Sequence, residues 1–363
     1  MRVFLFSFLF GFLFLSCGRE TLPYSTKFLE TGEGSLHSLA RWSTEELFRE
    51  SKGRVRTNAI LVLHKGKIRM EAYFSEFGPE TLHPTWSISK FLLNGALAEA
   101  IASGKMELDG SVVDYLKDPN VSFRKDLKVK DLLFFASGLD WKERYEWAPL
   151  DSDILEILYG DARSDIARYI SKLGFSYEPG EHVAYSSGDS NLLSAVLTRI
   201  VGKDYSDKYL RSVGIHSFVW ETDGKEVPIA SSYAYLSARD LAHLGEFYIR
   251  EGWGQHPSGL FPKDWIADTF RVHDPRKHRP WYLSWLPFPP MGGHVYVNRF
   301  DSVTDKLFFA NLSADAFFAS GHWGQYMVVD PKLDLVVVRF GNDRGGKFPM
   351  KDFIDRLLPG LEE

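Results

Sequence analysis

The chain has 363 residues, and its 43 Lys+Arg against 48 Asp+Glu give a formal net charge of −5 at pH 7. This excludes the basic footprint of a nucleic-acid binder. With 44% hydrophobic and 25% charged residues the composition is that of a globular protein, which excludes a disordered or collagen-like chain.

The first element in the chain is an export segment. Met1-Arg2 precedes a largely apolar run from Val3 to Leu15, and a small residue, Ser16, stands before Cys17. As a helix the run reaches about 20 Å, short of the roughly 30 Å hydrocarbon core, so residues 1–16 read as a cleaved signal peptide rather than a permanent span. Phe14-Leu15-Ser16-Cys17 resembles a bacterial lipobox, with Phe14 where Leu is usual. That resemblance implies that Cys17 is lipidated, that residues 17–35 form a polar tether, and that the protein is exported and anchored to a membrane, facing the periplasm or the outside. The alternative is a plain signal peptide that happens to hold a cysteine. Cys17 is the sole cysteine, so no internal disulfide forms and the fold rests on its core.

Thr57–His64 and Ile68–Phe74 read as strands joined at Lys65-Gly66-Lys67, a tight hairpin. From Ser87 to Ser103 the apolar positions Phe91, Leu92, Leu93, Ala96, Leu97, Ala100 and Ile101 cover most of a helix surface, and Gly104 stops it. Further helical patterns at 129–135, 154–158, 166–173 and 191–200 make residues 106–215 an all-helical lobe. A helix follows over 238–250, and strands return at 307–310, 325–329 and 333–340. The class expected is α+β: an antiparallel sheet built from both ends of residues 36–363, flanked by helices, plus the helical lobe.

Ser87-Ile88-Ser89-Lys90 is a Ser-x-x-Lys at the start of the buried helix. The pattern alone is cheap, since composition predicts on the order of one chance match in a chain this long. Ser122-Phe123-Arg124-Lys125 is such a match in a charged, loop-like stretch. What singles out Ser87 is its helix, where a residue three positions on shares the face and Lys90 reaches the hydroxyl. A serine hydroxyl needs an adjacent base, and a helix N-terminus favours negative charge. Lysine is a poor base at its ordinary pKa, so burial must favour the amine or a second group must share the task. Tyr185 is the candidate partner, delivered by the turn-rich Glu178–Ala184 segment just before a helix.

Ser87-x-x-Lys90 followed by Pro179-Gly180 and Tyr185-Ser186-Ser187 resembles the serine hydrolases related to class C β-lactamases, DD-peptidases and 6-aminohexanoate-dimer hydrolases. The likeness extends through Gly104–Asp109, Leu132–Trp141, Ser237–Ala242 and Gly321–Gly341. It implies a β-lactamase-like fold, an acyl-enzyme at Ser87, Lys90 as its base, and Tyr185 as the relay that protonates the leaving group and activates water. The family's Tyr-x-Asn appears with Ser187 in place of Asn, and its Lys-Thr-Gly is absent. Two registers offer a third motif. Ala319-Ser320-Gly321 makes the His322 N–H the second oxyanion donor beside that of Ser87, and His322-Trp323-Gly324 makes it the Gln325 N–H. Either way the cationic lysine is missing, so the substrate expected is an ester, amide or peptide without the antibiotic's carboxylate, and β-lactam hydrolysis is expected to be weak. A D-alanyl peptidase and a catalytically silent binding lipoprotein are the alternatives.

Tyr233, Tyr235, Trp281, Trp285 and Trp323 are expected either to line an apolar cleft or to pack in the core, Trp86 to lie in the core, and Asp189 to cap the helix that follows it. His273 and His278 stand close together, yet no metalloenzyme spacing is present, so no metal or other cofactor is expected.

Overall fold

A computed structural model describes residues 26–31, 34–255, 257–273, 290–301 and 306–362. Residues 1–16, expected to be a signal peptide, lie outside the described residues, as do Cys17, Trp281 and Trp285. The body is a seven-stranded antiparallel sheet. Its strands are β1 (Thr26–Thr31), β2 (Thr57–His64), β3 (Lys67–Phe74), β4 (Tyr296–Val297), β5 (Phe317–Gly321), β6 (Gln325–Asp330) and β7 (Leu335–Gly341), in the order β1-β3-β2-β7-β6-β5-β4. The two ends of the chain meet at the β2–β7 pairing, with Val62 opposite Val337.

The β2–β3 hairpin turns at Lys65 and Gly66, which take φ of +51° and +71°. Two successive left-handed residues match the twist of a two-residue hairpin, and glycine adopts that conformation at no steric cost. Successive side chains of β2 alternate between two cores, Ala59 and Leu61 to one face and Ile60 and Val62 to the other. A sheet covered on both faces reads as a continuous apolar run, and so β7 is buried along its whole length. On one face lie helix α1 (Ser89–Ala102) and the helices between residues 112 and 212, of which α2 (Ser187–Val201) is the longest. Helix α3 (Ala238–Trp253) packs on the same face, and α4 (Met350–Gly360) covers the other. Gly245 brings α3 close to the sheet, since a Cβ there would meet Val336 Cγ1 at 2.7 Å.

Three expectations are corrected. Residues 26–31 do not belong to a polar tether. They form β1 against β3, and Phe28 packs on the outer core. The strand expected at 307–310 is reduced to Lys306–Leu307, because the Asn298 side chain takes the backbone groups a strand would use. It donates to Phe309 O (3.0 Å) and Ser313 O (2.8 Å) and accepts from Phe309 N (2.7 Å). Asp189 does not cap α2. Ser186 does, accepting from Asp189 N at 3.0 Å, while the buried Asp189 carboxyl takes bonds from Ser137 and Ser186. Burial pushes that carboxyl up to about 7.

Candidate active site

Ser87 sits in a 3₁₀ turn, Trp86–Ile88, that runs into α1, rather than in the α-helix itself. The turn is clamped from one side. Thr85 donates through its backbone N (2.8 Å) and hydroxyl (2.9 Å) to Ala234 O, and Ala234 N donates to Ser89 Oγ at 3.1 Å. Trp86 adopts φ of +49°, a conformation that costs a bulky residue free energy and persists only where its surroundings hold it. Trp86, expected in the core, is only partly buried and packs against the edge of the core. Its ring lies among those of Tyr233, His322 and Trp323, at 5.4–5.9 Å between centroids.

Lys90 is 2% exposed, and its Nζ lies 3.3 Å from Ser87 Oγ, 3.0 Å from Ser187 Oγ and 3.0 Å from Ser231 O. Burial disfavours the ammonium and pushes its pKa down to about 8, with the Glu143 charge acting in the other direction. Tyr185 reaches the same point from the loop before α2. That loop is held by Ala184 N donating to Phe135 O at 2.9 Å. The Lys90 Nζ stands 4.8 Å from the centre of the Tyr185 ring, and the phenol hydrogen-bonds with Ser87. Burial, followed by the nearby Tyr296 and Glu143, raises the phenol well above its ordinary range, so it remains protonated at neutral pH. Ser87, Lys90 and Tyr185 line one narrow cleft, together with Phe135, Met291, His294, Val295, Tyr296, Ala319 and Ser320.

The third segment arrives on β5. Its neighbour β4 pairs only with Phe317 and Phe318, so Ala319–Gly321 runs on beside the Ser87 turn. A Cβ on Gly321 would lie 2.3 Å from Thr85 O and 3.0 Å from Trp86 Cβ, which fixes glycine at that position. His322-Trp323-Gly324 forms the tip of the β5–β6 hairpin, with Gly321 opposite Gln325. The His322 ring stacks on Tyr145 at 5.6 Å and bonds Glu146 at 3.0 Å, and so closes the rim rather than the pocket floor. Tyr235 pairs with Pro84 in the clamp, and its hydroxyl donates to Glu221 at 2.6 Å.

Three side chains escaped the sequence reading. Glu143 accepts from Ser187 N (2.9 Å), Ser187 Oγ (2.8 Å), Trp141 Nε1 (2.5 Å) and Tyr145 Oη (2.6 Å), and Tyr145 also hydrogen-bonds with Ser87. His294 meets Ser190 Oγ at 2.7 Å, and burial, with Lys90 beside it, pushes its pKa down to about 3, so it is neutral. None of the three belongs to a periodic pattern. Among the described residues no group of three or more His, Cys, Asp or Glu side chains is placed to hold a metal ion.

A family model described as Beta-lactamase matches residues 44–358. The chain belongs to the Beta-lactamase family. Among curated relatives it is 23% identical, over 220 residues, to a teichoic acid D-alanine hydrolase of Staphylococcus aureus, an alignment that takes in 57% of this chain and 51% of that protein. The chain therefore spans about half the length of that relative. Among solved structures it superposes on EstCE1, a hydrolase with promiscuous acyltransferase activity, with a TM-score of 0.69 at 16% identity, covering 89% of this chain and 98% of that one. A class C β-lactamase mutant superposes with a TM-score of 0.62 at 12% identity, covering 88% and 95%. At these identities the structural likenesses establish the fold, which is the β-lactamase-like α+β architecture expected from the sequence.

Proposed function

We propose that this Beta-lactamase-family chain is a serine hydrolase that acylates Ser87 and hydrolyses an ester or amide. The observation that carries this reading is the Lys90 amine, buried, 3.3 Å from Ser87 Oγ and poised near pH 8. In the neutral amine two N–H bonds serve Ser187 and Ser231, and the lone pair is left for the Ser87 proton. As Ser87 Oγ attacks the acyl carbon, its proton passes to Lys90. Tyr185, protonated and bonded to Ser87, then gives its proton to the leaving oxygen or nitrogen and recovers one from Lys90. In the second half-reaction water attacks the acyl carbon, its proton passes to the Tyr185–Lys90 pair, and Ser87 Oγ leaves as the hydroxyl.

The contact of Gly321 with the Ser87 turn, and the place of Ala319 and Ser320 in the cleft wall, support the first of the two registers. The His322 N–H then joins that of Ser87 in holding the oxyanion. Lys90 supplies the one ammonium among the described residues that line the cleft. A substrate carboxylate thus finds no lysine partner where Lys-Thr-Gly members carry one, and β-lactams are poor substrates. D-alanyl esters and peptides are a second substrate class, favoured by the relative named for teichoic acid D-alanine hydrolysis. We also propose that Cys17 is lipidated and anchors the protein to a membrane, on the strength of Phe14-Leu15-Ser16-Cys17 and the absence of any other cysteine. Replacing Cys17 by Ser would then release the protein from the membrane fraction.

The test of the activity is a panel of short-chain acyl esters, linear amides, D-alanyl peptides and nitrocefin, with Ser87→Ala as control. Turnover of an ester or amide that the control lacks supports the reading. Nitrocefin turnover equal to the best ester would refute the substrate assignment, and silence across the panel would favour a binding lipoprotein.

A further inference from the structure

The family's Tyr-x-Asn reads Tyr185-Ser186-Ser187 here, and the structure shows what accompanies the shorter side chain. Ser187 Oγ accepts from Lys90 Nζ at 3.0 Å and donates to Glu143 Oε1 at 2.8 Å. An unbroken path of hydrogen bonds therefore runs from a carboxylate through a hydroxyl to the amine beside the nucleophile. The carboxylate is fixed on both oxygens. Oε1 also takes the Tyr145 phenol at 2.6 Å, and Oε2 takes the Ser187 backbone N–H at the first turn of α2 and the Trp141 indole. Trp141 reaches it because Gly188 is bare, since a Cβ there would meet the indole Cε3 at 2.6 Å. The Glu143-x-Tyr145 segment adds a second phenol to the one that Tyr185 already brings to Ser87.

We propose that Glu143 is a positioning residue of this site, holding Lys90 against Ser87 through the Ser187 hydroxyl and supporting the ammonium that forms when Ser87 gives up its proton. The inference rests on the acyl-enzyme reading and deepens it. A hydroxyl is suited to the middle place, since it accepts from the amine and donates to the carboxylate at once. The charged and titratable groups that face Lys90 are Glu143 from the 141–147 segment, Tyr185 from the loop before α2, and neutral His294 from the strand-side wall. Tyr296 faces Glu143. Glu143 is the sole anion in that set, so its removal has a defined sign. Without it the ammonium is less favoured and the amine appears at lower pH.

The experiment measures kcat/KM for a p-nitrophenyl ester against pH for the full chain, Glu143→Gln, Ser187→Ala and the double variant, with thermal unfolding of each. The wild-type profile rises through a midpoint near pH 8, the value to which Lys90 is displaced. In Glu143→Gln the plateau falls about tenfold and the midpoint moves down by about one pH unit. In the double variant the loss is no greater than in the worse single variant, because both cut one path. A lower plateau with an unmoved midpoint, or losses that multiply, overturns the proposal. If Glu143→Gln does not fold, Ser187→Ala carries the test, and its plateau must fall by a similar factor. The acyl-enzyme reading is judged separately by covalent labelling of wild-type Ser87, so that a labelled protein with an unmoved Glu143→Gln midpoint refutes the positioning role alone.

Discussion

Replacing Lys90 with Met removes the group on which the mechanism turns, and its signature is a change in how stability depends on pH. In the native protein the Lys90 ammonium is displaced from 10.5 to about 8 by burial, so between those values the unfolded chain holds a proton that the native one does not. Stability rises with pH wherever the unfolded state binds more protons, by about 1.4 kcal/mol per unit for one group. At pH 7 the wild type carries nearly the full cost of a buried ammonium, and by pH 10 most of it is gone. Integrated over that window, the wild type gains about 2–3 kcal/mol relative to Lys90→Met. Loss of the bonds to Ser187 and Ser231 shifts the variant by a constant and cancels in the comparison. Urea unfolding of both proteins at pH 7 and pH 10 measures the difference. Parallel dependences on pH would refute the displaced lysine, and with it the amine as base.

Other outcomes follow from the same geometry. Tyr185→Phe removes the phenol that bonds Ser87, and kcat falls by roughly 10²–10⁴ while thermal unfolding shifts little. Gly321→Ala places a methyl 2.3 Å from Thr85 O, which forces the β5 edge off the Ser87 turn. Stability falls by about 1–3 kcal/mol, and steady-state kinetics record a loss in kcat rather than a rise in KM alone. Nitrocefin, assayed beside the best ester, is turned over far more slowly if the proposed register holds, in which Ala319 takes the place of the lysine of Lys-Thr-Gly.

The parts of this molecule that were legible in the sequence are those whose physics is local. Lys65-Gly66 announces a hairpin because two left-handed residues are needed there, and the unbroken apolar surface of 87–103 announces a helix buried on nearly every side. Ser87 and Lys90 lie within one turn of each other, so spacing alone brings them together. Tyr185 became legible through the family's motif, not through periodicity. Glu143 did not, because Trp141-Lys142-Glu143-Arg144-Tyr145 reads as a charged loop and its partner Ser187 is 44 residues away. Strand β5 was hidden for another reason. Phe317, Phe318 and Ala319 are all buried, so the alternation that marks a half-exposed strand is missing. The strand expected at 307–310 failed because a side chain, Asn298, competes for the backbone, a contact that no window over 307–310 contains.

The proposed chemistry turns on the nucleophilicity of one hydroxyl. Treatment of the folded wild-type protein with a fluorophosphonate at pH 8, followed by intact mass and peptide mapping, should add one phosphonyl group, at Ser87, and labelling should be lost in Ser87→Ala and strongly slowed in Lys90→Met. An unmodified wild-type protein, or a label placed on any other residue, would contradict it.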